Sequence, residues 1–162
     1  MELTESFRQL SYLPQPEKRL FSLSDLLHNL EELLQTNFQE NNISFTLRCS
    51  PEPMMTEGDE KQLSQVFLNL LKNAMQALEG HPHGELSLQA EQDEHIVIDI
   101  TDNGPGIPPE IMDKVFIPFF TTKSEGTGIG LSLCKEIIRR HEGHLAIKES
   151  RAGKTVFHIE LP

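Results

Sequence analysis

The longest run of helical periodicity lies between Glu60 and Leu78, "EKQLSQVFLNLLKNAMQAL". Leu63, Val66, Phe67, Leu70, Leu71, Ala74 and Leu78 share one inner face. A helix so one-sided must be buried against another layer, and the rest of the chain supplies strands. "ISFTLR" (43–48) alternates like a half-buried strand, and "ELSLQAE" (85–91) and "HIVIDITD" (95–102) follow as two strands joined at Asp93. "HLAIKES" (144–150) and "KTVFHIEL" (154–161) flank a turn at Gly153. "KRLFSL" reads as a short strand, after which Ser24 is placed to cap a helix through "DLLHNLEELLQTNF". Gly58-Asp59 opens the long helix, Gly80 and Pro82 end it, and a last helix reaches about His141. The order β-α-β-α-β-β-loop-α-β-β predicts an α/β two-layer sandwich, a mixed β-sheet with helices on one face.

The net charge of −11 argues against a nucleic-acid surface, which needs a basic face. It leaves a nucleotide ligand open, because a small phosphate site relies on local donors. No apolar run approaches the roughly 20 residues of a membrane span, and no signal peptide is present, so the chain as given is expected to be soluble. Cys49 and Cys134 have no metal-like spacing and are expected to be small buried thiols of a reducing compartment. "ELTESFRQLSYL" (2–13) spaces Leu3, Phe7, Leu10 and Leu13 as a short helix that Pro14 and Pro16 stop.

Three groups of polar or glycine residues break this pattern. Asn69 and Asn73 stack at i, i+4 beside core positions of the long helix. They are either satisfied boundary amides or, through an amide oxygen, neutral ligands for Mg²⁺. Asp102 ends an apolar strand and leads into "NGPGIP". That is either an ordinary turn or a carboxylate placed to accept a hydrogen bond from an amino group, with glycines letting a flat ring approach the backbone. "EGTGIGLSLCKEI" sets Gly126, Gly128 and Gly130 before a helix whose amides would suit phosphate, although it is neither a Walker loop nor a dinucleotide fingerprint. Between them, Phe116, Phe119 and Phe120 precede Thr121, Thr122 and Lys123. The crowding of aromatics beside glycine-bearing polar sequence reads as a movable flap, with Lys123 able to reach a phosphate.

Asn73 in "NLLKNAMQAL", then "DNGPGIP", "VFIPFFTTK" and "GTGIGL", resemble in order the N, G1, F and G2 boxes of sensor histidine kinase catalytic domains. These belong to the superfamily that includes gyrase, the ninety-kilodalton heat-shock chaperone and MutL. The resemblance runs from about Arg19 to Pro162, and the short "TTKSEGTG" lid is most similar to the nitrogen-regulation branch. It implies the Bergerat ATP-binding fold, with ATP between the long helix and a flexible lid. By that resemblance Asp102 accepts the adenine amino group, and Gly104, Gly106, Ile107, Ala77 and Thr155 wall the adenine. Asn73 holds Mg²⁺ with Asn69 near the phosphates. Lys123, Gly126, Thr127 and the amides of Gly128, Ile129, Gly130 and Leu131 hold the triphosphate, and Phe116, Phe119 and Phe120 anchor the lid. Two positions depart from the family: Lys154 stands where a glycine usually precedes the threonine, and Gln76 replaces a basic residue found in some kinases.

Gyrase-type members place a glutamate one turn before the metal asparagine, and this chain has Asn69 there. An amide cannot act as a general base, so transfer to an acceptor is expected over hydrolysis. The resemblance implies a histidine acceptor followed by an acid and a proline. Of His28, His81, His83, His95, His141, His144 and His158, only His141 precedes an acid, with no proline nearby. It is expected to be a surface residue or a helix C-cap. The expected organisation is residues 1–16 as the end of a dimerisation helix and linker, and 17–162 as the catalytic ATP-binding domain. The expected partners are ATP, the dimerisation and phosphoacceptor domain of the same kinase, and a response regulator. The expected state is a cytoplasmic and mostly monomeric domain, with the parent protein free to be membrane-anchored. Two rivals stand beside this: an anti-sigma-factor-type serine kinase, and a non-catalytic nucleotide-gated interaction module.

Overall fold

The computed structural model describes residues 12–118, 120 and 130–162. Strand β1 (Arg19–Ser22) turns directly into helix α1 (Leu23–Glu40), followed by β2 (Ile43–Ser50) and β3 (Met55–Gly58). Helix α2 (Glu60–Ala77), β4 (Gly84–Gln92) and β5 (Ile96–Asp102) come next, then a 3₁₀ turn (Pro109–Ile111), helix α3 (Gly130–Arg140), β6 (His144–Arg151) and β7 (Lys154–Leu161).

The main sheet has the order β2-β4-β5-β7-β6, with β2 parallel to β4 and the remaining pairs antiparallel. Period-two alternation divides it into an apolar face and a polar one. Ile43, Leu86, Leu88, Ile96, Ile98, Ile100, Leu145 and Ile159 are buried in the core that α1, α2 and α3 share. All seven apolar residues expected on the inner face of α2 are buried. This is the expected two-layer sandwich with a mixed sheet.

Four expectations need correction. Ser22, not Ser24, caps α1: its Oγ accepts from Asp25 N at 3.1 Å, because the chain enters the helix straight from β1 with no intervening residues. Ser24 is drawn inward instead, and its Oγ accepts the Met54 amide at 3.0 Å. The strand β3 was not expected, since "MTEG" is short and half polar; it pairs antiparallel with β1 as a two-stranded ribbon. His141 is buried rather than on the surface. It retains a capping role, with Nδ1 2.8 Å from the Ile137 carbonyl, while Nε2 accepts from Asp59 N at 2.9 Å. One imidazole thereby joins the end of α3 to the start of α2. Cys134 is fully buried as expected, but Cys49 is only half-buried. The expected helix over residues 2–13 lies outside the described residues except for its end. There the Leu13 carbonyl accepts from Arg140 Nη1, and the Pro14 carbonyl accepts from Gln62 Nε2 at 2.9 Å.

Candidate nucleotide site

Along β5, Ile96, Ile98 and Ile100 point into the core, and Asp102 takes the next position in that series. A carboxylate therefore stands where the alternation calls for an apolar side chain, 4 % exposed. Burial pushes its carboxyl above the ordinary range, and the Gly104 amide, donating to Oδ1 at 2.9 Å, partly offsets this. A buried acid with so little internal compensation is suited to an external hydrogen-bond donor.

The glycines after it shape the space. A Cβ on Gly104 would stand 2.9 Å from Asp102 Oδ1, 3.0 Å from the Ala77 carbonyl oxygen and 3.4 Å from Ala77 Cβ. Gly104 thus presses the loop against the end of α2 and brings Ala77 beside Asp102. Gly106 has φ +85°, and a Cβ there would lie 2.6 Å from the Arg151 carbonyl oxygen. The loop is fastened from the other side too: Gly153 N donates to Gly104 O at 2.8 Å. Ile107 N donates to Ser150 Oγ at 2.8 Å, and that hydroxyl lies 3.1 Å from Thr155 Oγ1. Thr155 is buried and pairs with Asp102 across the β5–β7 ladder. Asp102, Gly104, Gly106, Ile107, Ala77 and Thr155 therefore form one cluster, despite Lys154 before the threonine.

A second row leads away from it. Asn69, Asn73 and Ala77 repeat every fourth residue on α2, so the stripe spans about 12 Å along the axis. Ala77 stands at the Asp102 end. At the other end, near Asn69, the Cys134 thiol in the second turn of α3 donates to the Val66 carbonyl at 3.7 Å; burial pushes that thiol up to about 12, and Asn69 draws it down in part. Asn73 is half-buried between them. Gly130 is the first residue of α3 with open space at its Cβ position, and Leu131 packs partly against the core.

Of the expected lid anchors, Phe116 meets Phe157 edge-on, with ring centroids 6.4 Å apart, and carries Lys135 Nζ 4.4 Å above its ring. Phe120 N donates to Ile117 O at 3.2 Å. Phe119, Lys123, Gly126, Thr127, Gly128 and Ile129 lie outside the described residues. Sequence reasoning missed Ser150, which couples Ile107 to Thr155 and whose position follows only from the β6–β7 pairing. It also missed Asn103, read merely as a turn residue. Its amide side chain accepts from Glu85 N at 2.7 Å and donates to the His83 carbonyl at 3.0 Å, clamping the loop to β4.

Residues 58–162 match the family model described as histidine kinase-, DNA gyrase B-, and HSP90-like ATPase. The chain is 37% identical over 161 residues to Sporulation kinase C of Bacillus subtilis (strain 168), covering 95% of this chain and 37% of that protein. It is 32% identical to the sensory histidine kinase/phosphatase NtrB of Rhodobacter capsulatus, covering 100% of this chain and 48% of that protein. The chain thus spans less than half the length of these curated relatives. Among solved structures, the catalytic domain of histidine kinase ThkA superposes with TM-score 0.81 at 32% identity, over 90% of this chain and 95% of that one. ThkA in complex with the response regulator protein TrrA aligns with TM-score 0.80 at 27% identity, over 99% of this chain and 47% of that one.

Proposed function

Given that the chain belongs to the histidine kinase-, DNA gyrase B- and HSP90-like ATPase family, as an ATP-binding catalytic domain of the histidine kinase type, we propose that it binds Mg-ATP and donates the γ-phosphate to a histidine on a dimerisation domain outside this chain. Residues 1–16 are the end of a dimerisation helix and linker, residues 17–162 are the catalytic domain, and a response regulator acts downstream. The domain works in the cytoplasm, mostly as a monomer. No helix among the described residues is long and apolar enough to cross a membrane.

The observation that carries the reading is Asp102, a buried carboxylate beside a glycine wall. It accepts the adenine amino group, and Ala77, Gly104, Gly106, Ile107 and Thr155 surround the ring. From there the stripe on α2 leads along the nucleotide toward α3, whose first amides, at Gly130 and Leu131, suit phosphate oxygens. Asn73 sits midway, and its neutral amide oxygen fits a metal whose other ligands are phosphates and water. When bound there, Mg²⁺ supplies charge neutralisation between the phosphates. Asn69 lies near the phosphates without acting as a base. Lys123, Gly126, Thr127, Gly128 and Ile129 join this phosphate set on the strength of their sequence motif, and Phe116, Phe119 and Phe120 anchor the lid. With positioning and electrostatics in place, the chain needs no covalent chemistry of its own.

The test is a calorimetric titration of a non-hydrolysable ATP analogue, with and without Mg²⁺, into the chain and into Asp102→Asn. Magnesium-dependent binding that falls at least about tenfold in the variant, the scale of one buried charge-assisted hydrogen bond, is the expected result. Equal binding by both proteins would remove Asp102 from the adenine site.

A further inference from the structure

At the opposite end of the sheet from Asp102, three side chains from three segments converge. Cys49 is the penultimate residue of β2 and pairs with Ala90, whereas Asp102 pairs with Leu86 at the other end of β4. His28 projects from α1 and Glu52 from the loop between β2 and β3. One ligand atom each from His28, Cys49 and Glu52 lies within 4.8 Å of the others. His28 Nε2 is 2.6 Å from Glu52 Oε1, and on the far side of the ring Glu31 places Oε1 3.6 Å from Nδ1. The loop that carries Glu52 is held to α1 by two bonds, Met54 N to Ser24 Oγ and Leu23 N to the Met54 carbonyl at 2.7 Å.

A histidine–glutamate ion pair alone explains the 2.6 Å contact. It does not explain a half-buried thiol whose sulfur lies within 4.8 Å of both members of that pair. Thiol, imidazole and carboxylate together are the donor set of a zinc-like ion; magnesium and calcium take oxygen ligands and avoid sulfur. We propose that His28, Cys49 and Glu52 bind a divalent transition metal of the zinc class, with Glu31 as the outer carboxylate that orients His28. Nδ1 stands 3.6 Å from Glu31 Oε1, so in the metal-bound form its N–H turns to that carboxylate and Nε2 serves as the metal ligand. Binding breaks the Cys49 S–H bond and forms a metal–thiolate bond. The proton leaves to solvent, no electron moves, and water fills the fourth position.

Metal–ligand bonds of about 2.0–2.3 Å set tetrahedral ligand separations of about 3.3–3.8 Å. The donors must therefore shift by about an ångström. His28 and Glu52 can do so because their side chains are 47% and 48% exposed. The bound ion would pin α1 to the loop after β2, away from the nucleotide cluster.

Cobalt(II) is the probe that reads both geometry and sulfur ligation. The reduced chain should bind one equivalent, with intense visible bands of a four-coordinate ion and a near-ultraviolet thiolate-to-cobalt band, and zinc should displace it. Cys49→Ser should abolish the thiolate band although Cys134 remains. His28→Ala and Glu52→Gln should each weaken zinc binding by about tenfold or more, with an unchanged far-ultraviolet circular dichroism spectrum showing that they fold. A thiolate band that survives Cys49→Ser, or no saturable binding by the folded parent chain, would overturn the site.

Discussion

Asp102 holds two demands in tension. Burial raises its proton affinity, and the one amide bonded to Oδ1 recovers only part of the lost hydration. An acid whose folded-state pKa is raised favours the fold at low pH. That contribution fades as pH rises from the unfolded value through the folded one. At neutral pH the buried acid is therefore a stability cost. Asp102→Asn keeps an oxygen for Gly104 N and removes the charge. Without nucleotide the variant should melt higher than the parent, by about 2–4 °C for each kcal/mol recovered, even as it loses the analogue. Thermal melts at pH 7 and pH 4 check this. The gain should shrink at the lower pH, and an unchanged or lowered melting temperature at pH 7 would mean that the carboxylate is not a burden.

Among the elements, the joint between α2 and α3 and the polar face of the sheet each make a test. His141 is the hinge pin of the first. Its Nε2 accepts the Asp59 amide and its Nδ1 bonds the Ile137 carbonyl, so both nitrogens are used. Asp59 itself caps α2 through Oδ1 to Gln62 N at 3.1 Å and holds Glu17 N through Oδ2 at 3.0 Å. His141→Ala leaves a buried amide unpaired and opens a cavity, and should destabilise the chain by about 2–4 kcal/mol in urea titrations. A loss below about 0.5 kcal/mol would contradict the joint. On the polar face, burial lowers the proton affinity of His158, but Asp99 at 2.6 Å and Glu160 at 3.2 Å outweigh it and leave its pKa raised. Lys148, 3.3 Å from Asp99, also faces this pair. A raised histidine contributes stability in full below 6.5 and loses it as pH rises through its folded value. Asp99→Asn should flatten the fall in stability above that pH. The effect should be about 1 kcal/mol for this half-buried pair, and an identical pH profile would dismiss it.

The whole molecule shows which parts of fold and site could be read in one dimension. The inner face of α2 was legible because seven apolar residues at helical spacing leave no other solution. Asp102 was legible because a carboxylate interrupts a run of core positions. Ser150, His141 and the His28–Cys49–Glu52 cluster were not, since each acquires its meaning from a partner many residues away. The strand "MTEG" was invisible because four half-polar residues carry no period. The acceptor of the reaction is where the two kinds of reading meet. None of the seven histidines combines a following acid with a nearby proline, and His141, which has the acid, is buried with both ring nitrogens engaged. On the proposed reading the phosphate is delivered to a histidine outside this chain. Incubated alone with γ-labelled ATP and Mg²⁺, it should stay unlabelled. Given a histidine-bearing dimerisation domain in trans, it should place acid-labile phosphate on that partner, and Asp102→Asn should abolish the transfer. Acid-stable label would assign the chain to the serine kinases instead. Bound nucleotide with no transfer to a cognate domain would leave it a nucleotide-gated module.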